Sequence, residues 1–193
     1  PADAHGQFAL PFSSPPDGLL HGDATPLTVY HPRLVARVRR YNPAMRWIIL
    51  LRDPVERAMS HYFMERARGN EPLSLFRAVL AERGRIAASF DDFARDAAWR
   101  RYSYADRSRY RRQLAVLHDH FPASQVLLLR TSDLAAEPLA TALCALDFLG
   151  LPGAIEETQD RVLEGGYDVP GPLSPGRLLL RWLLRAETRA LRR

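Results

Sequence analysis

The chain has 193 residues and a formal net charge of +5, with 47% hydrophobic and 25% charged residues, which places it among folded domains with a sizeable core and excludes a disordered or fibrous chain. No lysine occurs, so all 27 basic Lys+Arg residues are arginine; lysine-based covalent chemistry is excluded, and every fixed side-chain cation is a planar guanidinium suited to phosphate or sulfate. One cysteine, Cys144, excludes an intrachain disulfide or a cysteine-based metal cluster, and the absence of a long apolar run or signal peptide leads to the expectation of a soluble, cytoplasmic chain with no membrane span and no metal.

Residues 1–18 are rich in Pro, Gly, Ser and Asp and read as irregular. In "GLLHGDATP", Leu19 and Leu20 are expected to end a short strand before a turn near Gly22 and Pro26. "HPRLVARVRRYNP" reads as a helix with Pro32 at its first position and Leu34, Val35 and Val38 as the apolar stripe. "RWIILLR" is a fully apolar strand of the kind found in covered parallel sheets, and it ends on Arg52. Asp53 then caps a helix that has Pro54 at its first position and runs to about Gly69. Val55, Ala58, Met59 and Tyr62 fall on one face; Arg57, Ser60, His61 and Met64 fall on another.

"SLFRAVLAER" and "FDDFARDAAW" read as two further helices, and "DRSRYRRQLAVLHDHFP" as a long helix ending before Pro122. "QVLLLRTSDL" is a second buried strand, also ending on an arginine, Arg130. "EPLATALCALDFLGLP" is a helix stopped by Gly150 and Pro152, and "LEGGYDVPGPLSPG" is a loop. Ser174 and Pro175 open a C-terminal helix expected to turn Leu178, Leu179, Trp182 and Leu183 inward. Strands alternating with helices imply an α/β class with a central parallel sheet flanked by helices, in one domain over residues 1–193.

Ligands in such folds bind outside the carboxyl ends of the strands, where Arg52 stands. Three features there attract an anion: the Arg52 guanidinium, the expected free N–H groups of the helix after Pro54, and the Ser60 hydroxyl, roughly 9 Å along that helix. The alternative is structural: an Arg52–Glu56 surface pair and an ordinary helix serine.

The stretch "LLRDPVERAMSHY" resembles the 3′-phosphate-binding motif of the PAPS-dependent sulfotransferases, most nearly the heparan sulfate sulfotransferases and their bacterial relatives. "GDATPLTVYHPRLVARVRRYNP" is similar to the family's Gly-Glu-x-Thr-Pro segment, with Asp23 where Glu is usual; "RYRRQLAVLHDHFPASQVLLLRTSDLAAEP", "ALDFLGLP" and "EGGYDVP" resemble later family segments in the same order, over roughly residues 19–193. The resemblance implies a P-loop-type sulfotransferase fold and 3′-phosphoadenylyl sulfate (PAPS) as co-substrate. Arg52 and Ser60 would hold its 3′-phosphate, and Tyr167 would lie near the adenine or ribose. The acceptor would be a hydroxyl or amine of a glycan or small metabolite.

The family's first strand and its 5′-phosphosulfate loop find no counterpart here, and the leading Pro1 reads as an N-terminally incomplete chain. The family's acidic base would fall within residues 1–18 or upstream; Asp3, His5 and Asp17 lie there without a matching motif. Asp23 and His21 are the remaining acceptor-side candidates, with Asp23 the catalytic candidate, although a carboxylate before a Thr-Pro turn equally suits local backbone bonding. His61 reads as structural, Trp99 and Tyr102 as core packing, and Cys144 as core. The cluster Arg107, Arg109, Arg111 and Arg112 reads as a solvated face or an acidic-ligand patch. Two alternatives to the enzyme stay open: a degenerate domain binding PAPS or its product without catalysis, and a basic polyanion-binding module. No nucleic acid partner is expected, and no pattern specifies an oligomeric state.

Overall fold

The computed structural model describes residues 20–94, 96–153 and 170–191. Among these, two apolar runs form a parallel pair: β1 (Trp47–Leu51) and β2 (Val126–Arg130), in register from Trp47 opposite Val126 to Leu51 opposite Arg130. The level register brings Arg52 and Arg130 to the same end of the sheet. Helices supply the rest: α1 (Leu27–Tyr30), α2 (Pro32–Tyr41), α3 (Pro54–Ala67), α4 (Leu75–Ala87), α5 (Ala98–Arg101), α6 (Tyr110–His120), α7 (Thr131–Ala136), α8 (Pro138–Leu149), α9 (Pro175–Leu183) and α10 (Arg185–Leu191).

The sequence reading holds for α2, where Pro32 opens the helix and Leu34, Val35 and Val38 are buried, and for α3, which buries Val55, Ala58, Met59 and Tyr62. The α3 stripe packs against Leu75, Ala78 and Val79 of α4 and against Leu180 and Leu184. Full burial of a large apolar side chain contributes about 1.5–3 kcal/mol, so this seam anchors the fold. A separate cluster joins Val35 and Val38 to Trp47, Leu117 and Phe121, fixing α2 and α6 to β1. Helix α8 ends at Gly150, whose φ of 74° lies in the left-handed region where a side chain is disfavoured.

Several expectations fail for identifiable reasons. Residues 90–94, 96 and 97 form turns or irregular backbone, not a helix: the Asp92 carboxylate accepts from the Ala94 N–H at 2.9 Å, and Phe90 and Phe93 pack on His31 and Trp99. The long helix before Pro122 is broken at Arg109 (φ −85°, ψ 70°). Across that break the Arg107 carbonyl and the Arg111 N–H, which a continuous helix would pair with each other, bond elsewhere: the carbonyl accepts from Gln113 Nε2 at 2.8 Å, and the N–H donates to Glu187 Oε2 at 3.1 Å.

The C-terminal helix buries Gly176, Leu180 and Leu184 and packs Leu179 and Leu183, partly buried, against the same core as expected, whereas Leu178 and Trp182 are exposed. Gly176 sets this phase: a Cβ there would lie 2.7 Å from Leu75 Cγ, so the helix approaches α4 most closely at its one residue without a side chain. Leu20 belongs to no strand. Ile48, Leu50 and Leu128 are exposed, so the sheet is not covered on all sides by the described residues. Cys144 is exposed on α8, not core, because α8 lies at the edge of the described structure with Leu139 and Leu143 also open.

Candidate functional site

A cleft of about 470 Å³ opens at the carboxyl ends of both strands, lined in part by Arg52, Asp53 and Glu56 on one side and by Arg130, Thr131 and Ser132 on the other. Arg52 is exposed, and its guanidinium makes no hydrogen bond or ion pair among the described residues. Its backbone is braced: the Tyr110 hydroxyl donates to the Arg52 carbonyl at 3.0 Å. Burial, opposed by neighbouring Arg57, pushes the Tyr110 phenol up, so it stays a donor.

Two details correct the sequence reading. The first N–H groups of α3 are not free: Asp53 Oδ1 accepts from both Val55 and Glu56 at 3.0 Å. Its carboxylate also compensates the helix dipole, so anion attraction at this end rests on the guanidinium. The anticipated Arg52–Glu56 pair does not form; Glu56 accepts from Arg177 at 3.0 Å. Both carboxylates in the cleft are therefore engaged.

Ser60 lies two turns into α3, one turn beyond Glu56 on the same face, and does not line the cleft. It is half-buried, and its hydroxyl makes no hydrogen bond among the described residues. Arg57, by contrast, is turned inward: it donates from Nε to Ser108 Oγ at 2.7 Å and from its terminal nitrogen to the carbonyls of Ser103 and Tyr104. His61 is buried edge-on to Tyr104 with ring centroids 5.2 Å apart. Burial first, then Arg107 and Arg57, lower its pKa to about 2, so the imidazole is neutral at ordinary pH.

Asp23 is exposed, and its carboxylate accepts from the Thr25 hydroxyl (2.8 Å) and N–H (3.3 Å), the local turn bonding anticipated as its alternative. Neither Asp23 nor the exposed His21 lines the cleft. Tyr167, Asp3, His5 and Asp17 lie outside the described residues. The arginine cluster is not one face. Arg107 is largely internal, donating to the carbonyls of Trp99 and Arg100 and lying 5.2 Å from the Tyr30 ring centre; burial lowers its pKa to about 9. Arg112 pairs with Asp106 at 2.9 Å, leaving Arg109 and Arg111 exposed. This weakens the polyanion-module reading. Trp99 is fully buried, and Tyr102 is half-buried under the Arg85 guanidinium, 4.4 Å from its ring centre.

The role of Tyr110 was not legible in the sequence, because no local pattern links a helix-start tyrosine to a carbonyl on a distant strand. Arg130 carried a visible signal, an arginine ending a second apolar strand, but its partner in the cleft depends on the register. No group of three or more His, Cys, Asp or Glu among the described residues is placed to hold a metal ion, and no described helix is long and apolar enough to cross a membrane.

No protein-family model and no curated protein matches the chain. Among solved structures it is similar to a sulfotransferase from Alicyclobacillus acidocaldarius, with a TM-score of 0.63 and 23% identity over 86% of this chain. The chain has a sulfotransferase-like fold. It spans 61% of that protein's length.

Proposed function

We propose that this chain is a sulfotransferase domain that binds PAPS and transfers its sulfuryl group to a hydroxyl or amine. The observation that carries the reading is the exposed, unpaired Arg52 guanidinium in a strand-end cleft whose own carboxylates are engaged. The sulfotransferase-like fold supports it. Arg52 and Ser60 hold the nucleotide's 3′-phosphate. Ser60 suits the role because its hydroxyl has no partner among the described residues and is reached along the same helix face as Glu56. Tyr167 is assigned to the adenine or its ribose.

In the reaction the bond between sulfur and the bridging oxygen of the 5′-phosphate breaks, and a bond forms from sulfur to the acceptor oxygen or nitrogen. The acceptor proton passes to a base, and adenosine 3′,5′-bisphosphate leaves. The described residues contribute the 3′-phosphate grip, which fixes the nucleotide and so the direction of the S–O bond. Asp23, bonded to Thr25 and away from the cleft, receives no catalytic role here.

The test is thermal stabilisation by adenosine 3′,5′-bisphosphate. Ligand at 100 times its dissociation constant adds about 2.7 kcal/mol, and Arg52→Ala abolishes the shift. Equal stabilisation by 5′-AMP would remove the 3′-phosphate assignment. A bisphosphate shift with no sulfate transfer by the natural gene product would reduce the domain to nucleotide binding.

A further inference from the structure

The second strand end carries a cation that the proposed function leaves unused. Arg130 is exposed, makes no hydrogen bond or ion pair among the described residues, and lines the same cleft as Arg52. The register pairs Arg130 with Leu51, so Arg130 ends β2 one residue before the level of Arg52, which follows β1 on the neighbouring strand about 4.8 Å away, and both residues line the one cleft. Three arginines elsewhere form ion pairs with buried or half-buried carboxylates or with Asp106: Arg85 with Glu71, Arg177 with Glu56 and Arg112 with Asp106. Two unpaired guanidiniums in one cleft, where Asp53 and Glu56 are already bonded, leave the site with uncompensated positive charge that a bound anion relieves. Thr131 adds a hydroxyl with no partner among the described residues. Arg130 also borders a smaller cavity of about 270 Å³ lined by Arg111 and Glu187 among mainly apolar residues, whereas the larger cleft holds Arg52 and no free carboxylate among the described residues.

We infer that Arg130 is the second cation of this site and closes on the same phosphate as Arg52, making it a specificity-determining residue for the 3′-phosphate. This rests on the nucleotide reading above. The experiment is isothermal titration of the parent, Arg52→Gln, Arg130→Gln and Arg130→Lys with adenosine 3′,5′-bisphosphate and with 5′-AMP. A charged hydrogen-bond partner lost from a phosphate weakens binding by roughly 10–100-fold. Arg130→Gln is expected to weaken the bisphosphate by that factor while leaving 5′-AMP affinity within about twofold, and Arg130→Lys to recover part of the loss. The unliganded melting temperature stays unchanged, since the exposed side chain bonds to nothing described. If Arg130→Gln leaves bisphosphate affinity within about twofold while Arg52→Gln loses it, this inference falls and the nucleotide reading stands. Equal weakening of both nucleotides also overturns it, by placing Arg130 on the 5′ side. A parent that does not prefer the bisphosphate to 5′-AMP overturns both.

Discussion

The interior beneath α3 and the cleft at the strand ends use the same residue types in opposite ways. Arg52 and Arg57 flank the first turn of α3. Arg57 donates to Ser108, Ser103 and Tyr104, whereas Arg52 has no partner among the described residues and lies in open space. The buried carboxylates repeat the interior pattern. Glu71 accepts from Arg85 (2.6 Å), the Tyr104 hydroxyl (2.7 Å) and the Leu73 N–H (2.9 Å), and Glu82 accepts from two amides. Buried charge is tolerable only when paired or hydrogen-bonded, so the interior groups are committed to the fold. Exposed arginines such as Arg40, Arg77 and Arg83 also have no side-chain partner among the described residues, so what sets Arg52 apart is its place in a cleft whose carboxylates are engaged.

The largest test of that contrast is Arg57→Ala. It leaves the Ser103 carbonyl without its donor and removes one partner each from the Tyr104 carbonyl and the Ser108 hydroxyl, which keep their bond to each other; a buried group left unsatisfied costs about 1–3 kcal/mol, and lost charge-assisted bonds add to it. A loss of about 3–5 kcal/mol is expected in urea unfolding, with Arg57→Lys recovering little because an ammonium lacks the guanidinium's fork. A loss under about 1 kcal/mol would erase the distinction between the two regions.

The interior also titrates in two opposing senses. Burial raises the Glu82 pKa from 4.5 to about 7, although its two backbone N–H partners act against the shift. Folding therefore favours its protonated form: this stabilisation is complete below pH 4.5 and is lost as pH rises to about 7. Burial lowers the His61 pKa from 6.5 to about 2, so its contribution is complete above pH 6.5 and is lost as pH falls. Between pH 4.5 and 6.5 the two slopes, each about 1.4 kcal/mol per pH unit, cancel. Glu82→Gln should expose the His61 slope, with stability rising with pH across that window. His61→Phe, chosen because neither ring nitrogen makes a hydrogen bond of ordinary geometry among the described residues, should expose the falling Glu82 slope. Parallel pH profiles for parent and both variants would refute the coupling.

A smaller effect tests the packing that holds the interior shut. Gly176→Ala pushes a methyl group into Leu75, and overpacking of this kind costs about 1–3 kcal/mol. Leu75→Ala should relieve the clash, making the double variant more stable than the sum of the single losses predicts.

These regions also differ in how far the sequence revealed them. Strands β1 and β2, the Asp53–Pro54 helix start, the Gly150 stop and the α3 stripe follow local rules of periodicity and capping, and each was legible. Residues 90–94 and the break at Arg109 were not, because distant partners, His31 and Glu187, override local helical preference. The phase of α9 was read partly right: Leu179 and Leu183 pack against the core, but Gly176 in contact with Leu75 turns Leu180 and Leu184, rather than Leu178 and Trp182, to the centre of the buried face. At the cleft, Arg52 was legible as a strand-ending cation. The partners of Glu56 and Tyr110 were set by tertiary neighbours that spacing alone left ambiguous.

The smallest expected effect lies on the cleft side. Arg52→Ala removes a side chain that bonds to nothing among the described residues, and exposed positions of this kind change stability by about 0.5 kcal/mol or less. The bracing from Tyr110 reaches the Arg52 carbonyl, which alanine keeps, so the strand end should hold its place. Urea unfolding of Arg52→Ala beside Arg57→Ala thus compares two guanidiniums one helical turn apart. If truncating Arg52 costs as much as truncating Arg57, its side chain is part of the fold's own bonding, and the cleft loses the unpaired cation on which anion binding there depends.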